Sequence, residues 1–194
     1  MEELKKLSDV TGPDERQKAF AVIDSTSGQF RALTFLDVYQ DTATITLHDG
    51  VPDVIRSHFA TAQNLLVFSW FFYPFNVTAE FLAYVTVELA LKERFKPERR
   101  ESFSDLVKLA VAQGLVKDEG FSRVRERSER DDSLDQVIGV VPQQVKSYAE
   151  ILIDAMPYLR NTLAHGSPML HPNGASSVRL CAEFINQLFP RTSS

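Results

Sequence analysis

Residues 77–91 constrain this chain more than any other stretch. They read as helix and are apolar on almost every face, interrupted chiefly by Glu80, Thr86 and Glu88. A helix that is hydrophobic all round is stable only when other elements surround it. The chain must therefore build a bundle around this segment, predicted to run from Val77 to about Phe95 with Asn76 as its cap. With 194 residues, 44% of them hydrophobic, it is long enough to bury one such core.

Proline, glycine and capping signals mark the neighbours. One helix is predicted to begin with Pro52 at its first position and Asp53 in its first turn. Ile55, Phe59, Ala62 and Leu66 share its inner face, Leu65, Phe68 and Phe72 broaden that face, and Pro74 stops it. Ser102-Phe103-Ser104-Asp105 is a capping-box pattern that opens a short helix ending near Gly114. Residues 117–136 are dense in charge and predict an exposed loop. The next helix is expected from near Pro142 to His165, with Val145, Tyr148, Ala149, Leu152, Ile153 and Met156 as its buried stripe. Pro157 is expected to kink it and Gly166 to cap it. A last helix, Ser176 to Leu188, buries Val178, Cys181, Ile185 and Leu188.

The expected fold class is all-α: a bundle of four to five helices over residues 51–190, preceded by an irregular N-terminal extension, residues 1–50, with room for one short β-hairpin. In that extension Lys18 to Ile23 and Thr42 to Leu47 have strand-like composition. Arg31 to Gln40 spaces Leu33, Leu36 and Tyr39 near a helical period.

The formal net charge of −5 gives no global basic excess, so any contact with a polyanion must be local. The charged start, Met1 to Lys6, is followed by no apolar signal region, and the single cysteine, Cys181, fits a reducing compartment. The greasiest run, Leu65 to Phe75, contains Ser69 and Pro74 and is too short to span a bilayer. A cytoplasmic protein without membrane contact is expected.

The chemistry-bearing stretch is Arg160-Asn161-Thr162-Leu163-Ala164-His165, followed by Gly166. It gathers a permanent cation, an amide and an imidazole at a helix end, none of which an apolar helix needs. At about 100° per residue, Asn161 and His165 lie nearly above each other. Arg160 is offset from His165 by about 140° on a straight helix. A long side chain, a frayed last turn or a second copy from a dimer partner must close that gap.

Here the chain resembles the HEPN superfamily of small helical bundles, many of them ribonucleases. The family signature is Arg, four to six residues, then His, with a polar residue often directly after the Arg. Arg160, Asn161 and His165 match it. Residues 86–92 resemble the second-helix pattern of many members, and residues 104–110 with 113–116 are similar to a short connecting helix in some. The resemblance covers residues 52–190. It implies a homodimer whose two motifs meet in one cleft, acting on RNA in stress response or phage defence without metal or other cofactor. In that scheme His165 moves the proton, Arg160 holds the phosphate oxygens and Asn161 orients either the phosphate or the imidazole. Some HEPN toxins carry a tyrosine two positions after the His, which a partner nucleotidyltransferase modifies. Ser167 stands there in this chain. The resemblance thus raises a protein antitoxin or nucleotidyltransferase partner without the residue such a pairing uses.

Each of these residues also has a plainer use. Arg160 and His165 suit a helix C-terminus, where cations meet free carbonyls. In that case the bundle is a non-catalytic module for dimerisation or for binding a nucleotide or partner. Glu88 needs a partner in its apolar helix, and both Arg160 and Lys92, four residues on, are candidates. Pairing with Arg160 would make Glu88 its positioner. Lys92 to Arg100 holds five basic residues, among them Lys92 and Arg94 as RNA contacts, and Arg123 to Arg130 holds four arginines. Interspersed glutamates favour a solvated surface for both runs. Trp70 with Phe68, Phe71, Phe72, Tyr73 and Phe75 fits core or a dimer interface better than a base-stacking platform. The histidines, at 48, 58, 165 and 171, show no metal-ligand spacing.

Overall fold

The computed structural model describes residues 3–24, 26–126, 146–166 and 174–191. The fold is all-α with one short hairpin near the N-terminus, as the sequence predicts. Its α-helices, numbered over the longer described ones, are α1 (Phe35–Ala43), α2 (Asp53–Phe68), α3 (Phe75–Phe95), α4 (Phe103–Ala112), α5 (Tyr148–Ala164) and α6 (Gly174–Leu188). Residues 122–126 are also helical. No helix among the described residues is long and apolar enough to cross a membrane.

Helix α3 is the axis of the bundle. Ala79, Ala83, Tyr84, Val87, Ala90 and Leu91 are fully buried, and α2, α4, α5 and α6 all pack on it. The inner face of α2 is the predicted one: Ile55, Phe59, Ala62 and Leu66 are buried. So are Val178, Cys181, Ile185 and Leu188 of α6. Burial pushes the Cys181 thiol up, so it is a core side chain rather than a nucleophile.

The ends depart from expectation in instructive ways. Helix α2 stops at Phe68, which is 50% exposed, because the chain turns through Ser69 to Pro74 before α3. Pro74, not Asn76, is the residue before α3, its φ of −58° already suiting a helix start. Asn76 lies in the first turn and donates to the Tyr73 carbonyl at 3.2 Å. Only Tyr73 of the aromatic run is buried; Trp70, Phe71, Phe72 and Phe75 are half-buried. Residues 117–126 are not simply an exposed loop, since Phe121 is fully buried against Tyr148. Residues 127–136 lie outside the described residues, as do Pro142, Val145, Pro168 and His171. Helix α5 is entered at Ser147, whose hydroxyl accepts from the Glu150 N–H while Glu150 accepts from the Ser147 N–H. It continues through Pro157 to Ala164, with His165 as its cap and Gly166 next, at φ +79°.

In the extension, β1 (Ala21–Ile23) pairs antiparallel with β2 (Phe30–Ala32). The alternating segment Thr42 to Leu47 is not a strand. A capping box between Thr34 and Asp37 launches α1 through Ala43, and Thr42 bonds back to the Val38 carbonyl. Leu36 and Tyr39 keep helical spacing but point outward. The extension is tied to the bundle through Asp14, which accepts from the Tyr73 N–H at 2.9 Å and from Arg16. Burial opposes ionisation of Asp14, yet these donors hold its pKa down to about 2.

Candidate functional site

The helix pattern brings three predicted residues together. Glu88 lies on α3 near its C-terminal end, Arg160 on α5, and Lys92 one turn beyond Glu88. Arg160 Nη2 donates to Glu88 Oε2 at 2.8 Å and Lys92 Nζ donates to Glu88 Oε1 at 2.6 Å. The two partners open to Glu88 in the sequence are therefore both used, one per oxygen. The Glu88 and Arg160 side chains are 16% and 31% exposed, so the pair sits at the edge of the core. Burial alone would raise the Glu88 carboxyl, but the Lys92 and Arg160 donors outweigh it and hold the group below the ordinary glutamate range. Arg160 Nη1 donates to Asn161 Oδ1 at 3.1 Å, and its Nε is buried with no hydrogen-bond partner among the described residues. Arg160 thus has donors beyond those that Glu88 takes.

These side chains line a surface groove of about 430 Å³. One wall is α3 with Glu88 and Lys92, a second is α5 with Pro157, Arg160 and Asn161, and the third is the entry to α4 with Arg100, Glu101, Ser102, Phe103 and Ser104. The third wall has no counterpart among the predicted site residues. Arg100 belonged to a run with the signature of a solvated surface, and Ser104 to a helix-start signal. Only the packing of α4 against α3 and α5 turns them toward the groove.

His165 does not line the groove. It is the residue after α5, with φ −87° and ψ 7°, and its ring is exposed with no side-chain hydrogen bond among the described residues. Its N–H donates to the Asn161 carbonyl at 3.0 Å, which fixes the backbone beneath the exposed imidazole. Arg94 is exposed and does not line the groove, because two residues beyond Lys92 on a helix is the opposite side. His58 is bonded to Thr86, and His48 to Asn186.

Ile151 and Tyr158 are exposed on α5, at intervals of seven residues from each other and from His165. Seven residues return a helix to nearly the same face, so the three form one stripe, with Tyr158 at 69% exposure.

No family model, no curated protein and no solved structure matches this chain.

Proposed function

We propose that this chain is a HEPN-like, metal-independent endoribonuclease of a stress-response or defence type, cytoplasmic and active as a homodimer. The observation that carries the proposal is the division of labour at the end of α5. Glu88 holds Arg160 at 2.8 Å across two walls of the groove, while the His165 imidazole is exposed and unengaged among the described residues. A fixed guanidinium suits a phosphate and a free imidazole suits proton transfer.

In the proposed reaction the RNA 2′-oxygen attacks the adjacent phosphorus. The new P–O2′ bond forms as the P–O5′ bond breaks, leaving a 2′,3′-cyclic phosphate and a 5′-hydroxyl. His165, supplied by the other subunit, accepts the 2′-hydroxyl proton, and the imidazolium so formed returns a proton to the departing O5′. Arg160 neutralises the charge that builds on the non-bridging oxygens. Glu88 touches no reacting atom and is a positioning residue. The exposed stripe of Ile151, Tyr158 and His165 offers an apolar helix face through which a second copy would bring its own His165 near.

The test is cleavage of mixed RNA in the presence of EDTA. Wild type is expected to cut, and folded His165→Ala and Arg160→Ala to lose at least about a hundredfold in rate. An absence of cleavage on every RNA offered, or full activity in both variants, sinks the enzymatic proposal. One observation favours a second reading. Arg160 and Lys92 share a carboxylate that already offsets much of their charge, as a non-catalytic dimerisation or nucleotide-binding module would have it. Under that reading both variants keep every binding property of the wild type.

A further inference from the structure

The groove contains more cation than holding Arg160 requires. Lys92, Arg100 and Arg160 line it against two carboxylates, Glu88 and Glu101, so it is locally positive in a chain of net charge −5. Glu88 spends one oxygen on Lys92 and the other on Arg160. Arg100 is exposed and has no ion-pair partner among the described residues, and the Ser104 hydroxyl has no hydrogen bond among them. The unused donors therefore lie toward α4, beyond Arg160.

We infer that this groove is a second phosphate subsite, in which Lys92, Arg100 and Ser104 hold the phosphodiester next to the one at Arg160, so that a single strand crosses the groove from α5 toward α4. The inference rests on the ribonuclease proposal only for the identity of the strand; gripping a backbone phosphate does not require cleavage. Paired cations with one hydroxyl suit the non-bridging oxygens of a diester. Two cations and a hydroxyl grip a phosphodiester without reading its base, so the grip itself is indifferent to sequence. The substrate class follows: an RNA segment with a phosphate flanking the scissile one, rather than a dinucleoside monophosphate.

Binding of a fluorescent oligothymidylate, which has the phosphates and lacks the 2′-hydroxyl, separates grip from cleavage. Wild type should bind with affinity that falls as salt rises. Arg100→Ala should weaken binding about tenfold at low salt and flatten the log–log salt slope by about 0.7, one phosphate contact on a single strand. Lys18→Ala, an exposed cation of the N-terminal extension that does not line the groove, should bind as wild type. On RNA, a trinucleotide should be cut faster than a dinucleoside monophosphate, and Arg100→Ala should erase that difference. Equal binding by Arg100→Ala and wild type overturns the subsite, and so does inorganic phosphate competing as well as the strand does. If the oligothymidylate binds through Arg100 but no RNA is cut, the subsite stands and the ribonuclease proposal falls. If RNA is cut and Arg100→Ala changes neither binding nor rate, the subsite falls and the ribonuclease proposal stands.

Discussion

Glu88 is where residue-scale physics decides most. Its carboxylate is mostly buried and accepts from two cations, one on its own helix and one on α5. Glu88→Gln keeps the shape but leaves Lys92 and Arg160 facing each other without the negative charge that separates them. It is expected to cost about 1–3 kcal/mol at neutral pH. The pH dependence has a definite sign. Because the folded-state pKa is lowered, the stabilisation is complete above the ordinary glutamate value of about 4.3 and is lost as pH falls through the lower folded value. Urea unfolding of both proteins between pH 7 and pH 3 should show the gap between them closing on the acid side. A gap that stays constant over that range would mean that the difference does not come from the Glu88 charge.

At the scale of the element, helix starts and stops were legible where one residue type has one physical use. Ser102 and Gly166 mark ends because a hydroxyl can take an orphan N–H and glycine alone enters the left-handed region freely. The inner face of α2 was legible because only one face of its pattern is apolar throughout. Thr42 to Leu47 misled because alternation describes a strand only where an edge is free to pair, and the Thr34–Asp37 box commits that chain to α1 first. Arg160, Asn161 and Glu88 could be singled out as polar intrusions on helices. Arg100 could not, because the wall it forms arises from contacts between α4, α3 and α5 that no local pattern encodes. One helix end breaks the glycine rule. Lys96 follows α3 with φ +44° and ψ 55°, the left-handed region that disfavours a side chain. Lys96→Gly is expected to stabilise the fold by about 0.5–1 kcal/mol, read as a higher urea midpoint at unchanged slope. A lower midpoint would show that the Lys96 side chain contributes more than its backbone costs.

At the scale of the molecule, the proposed homodimer needs a surface for its second copy to cover. Among the exposed apolar side chains of the described residues, two groups bear on this: Phe68 in the turn that precedes α3, and Ile151 with Tyr158 on α5. The aromatic turn around Phe68 to Phe75 is about 20 Å along the helix from Glu88, by the rise of thirteen residues. A dimer closed over that turn would leave the two Arg160 groups far apart. A dimer closed over the α5 stripe of Ile151 and Tyr158 puts His165 of each subunit beside the other's helix end. Subunit mixing tests this directly. His165→Ala and Arg160→Ala are each expected to be inactive alone. If a site takes Arg160 from one subunit and His165 from the other, an equal mixture should regain about a quarter of wild-type activity, since half of the dimers are mixed and one of the two sites in each is intact. Adding Tyr158→Glu to both parents should abolish the recovery by placing like charges on the shared stripe. Mixing that forms mixed dimers but restores no cleavage would place both groups of each site in one subunit. The 140° between Arg160 and His165 would then have to be closed within one helix end, by fraying of α5 beyond Asn161.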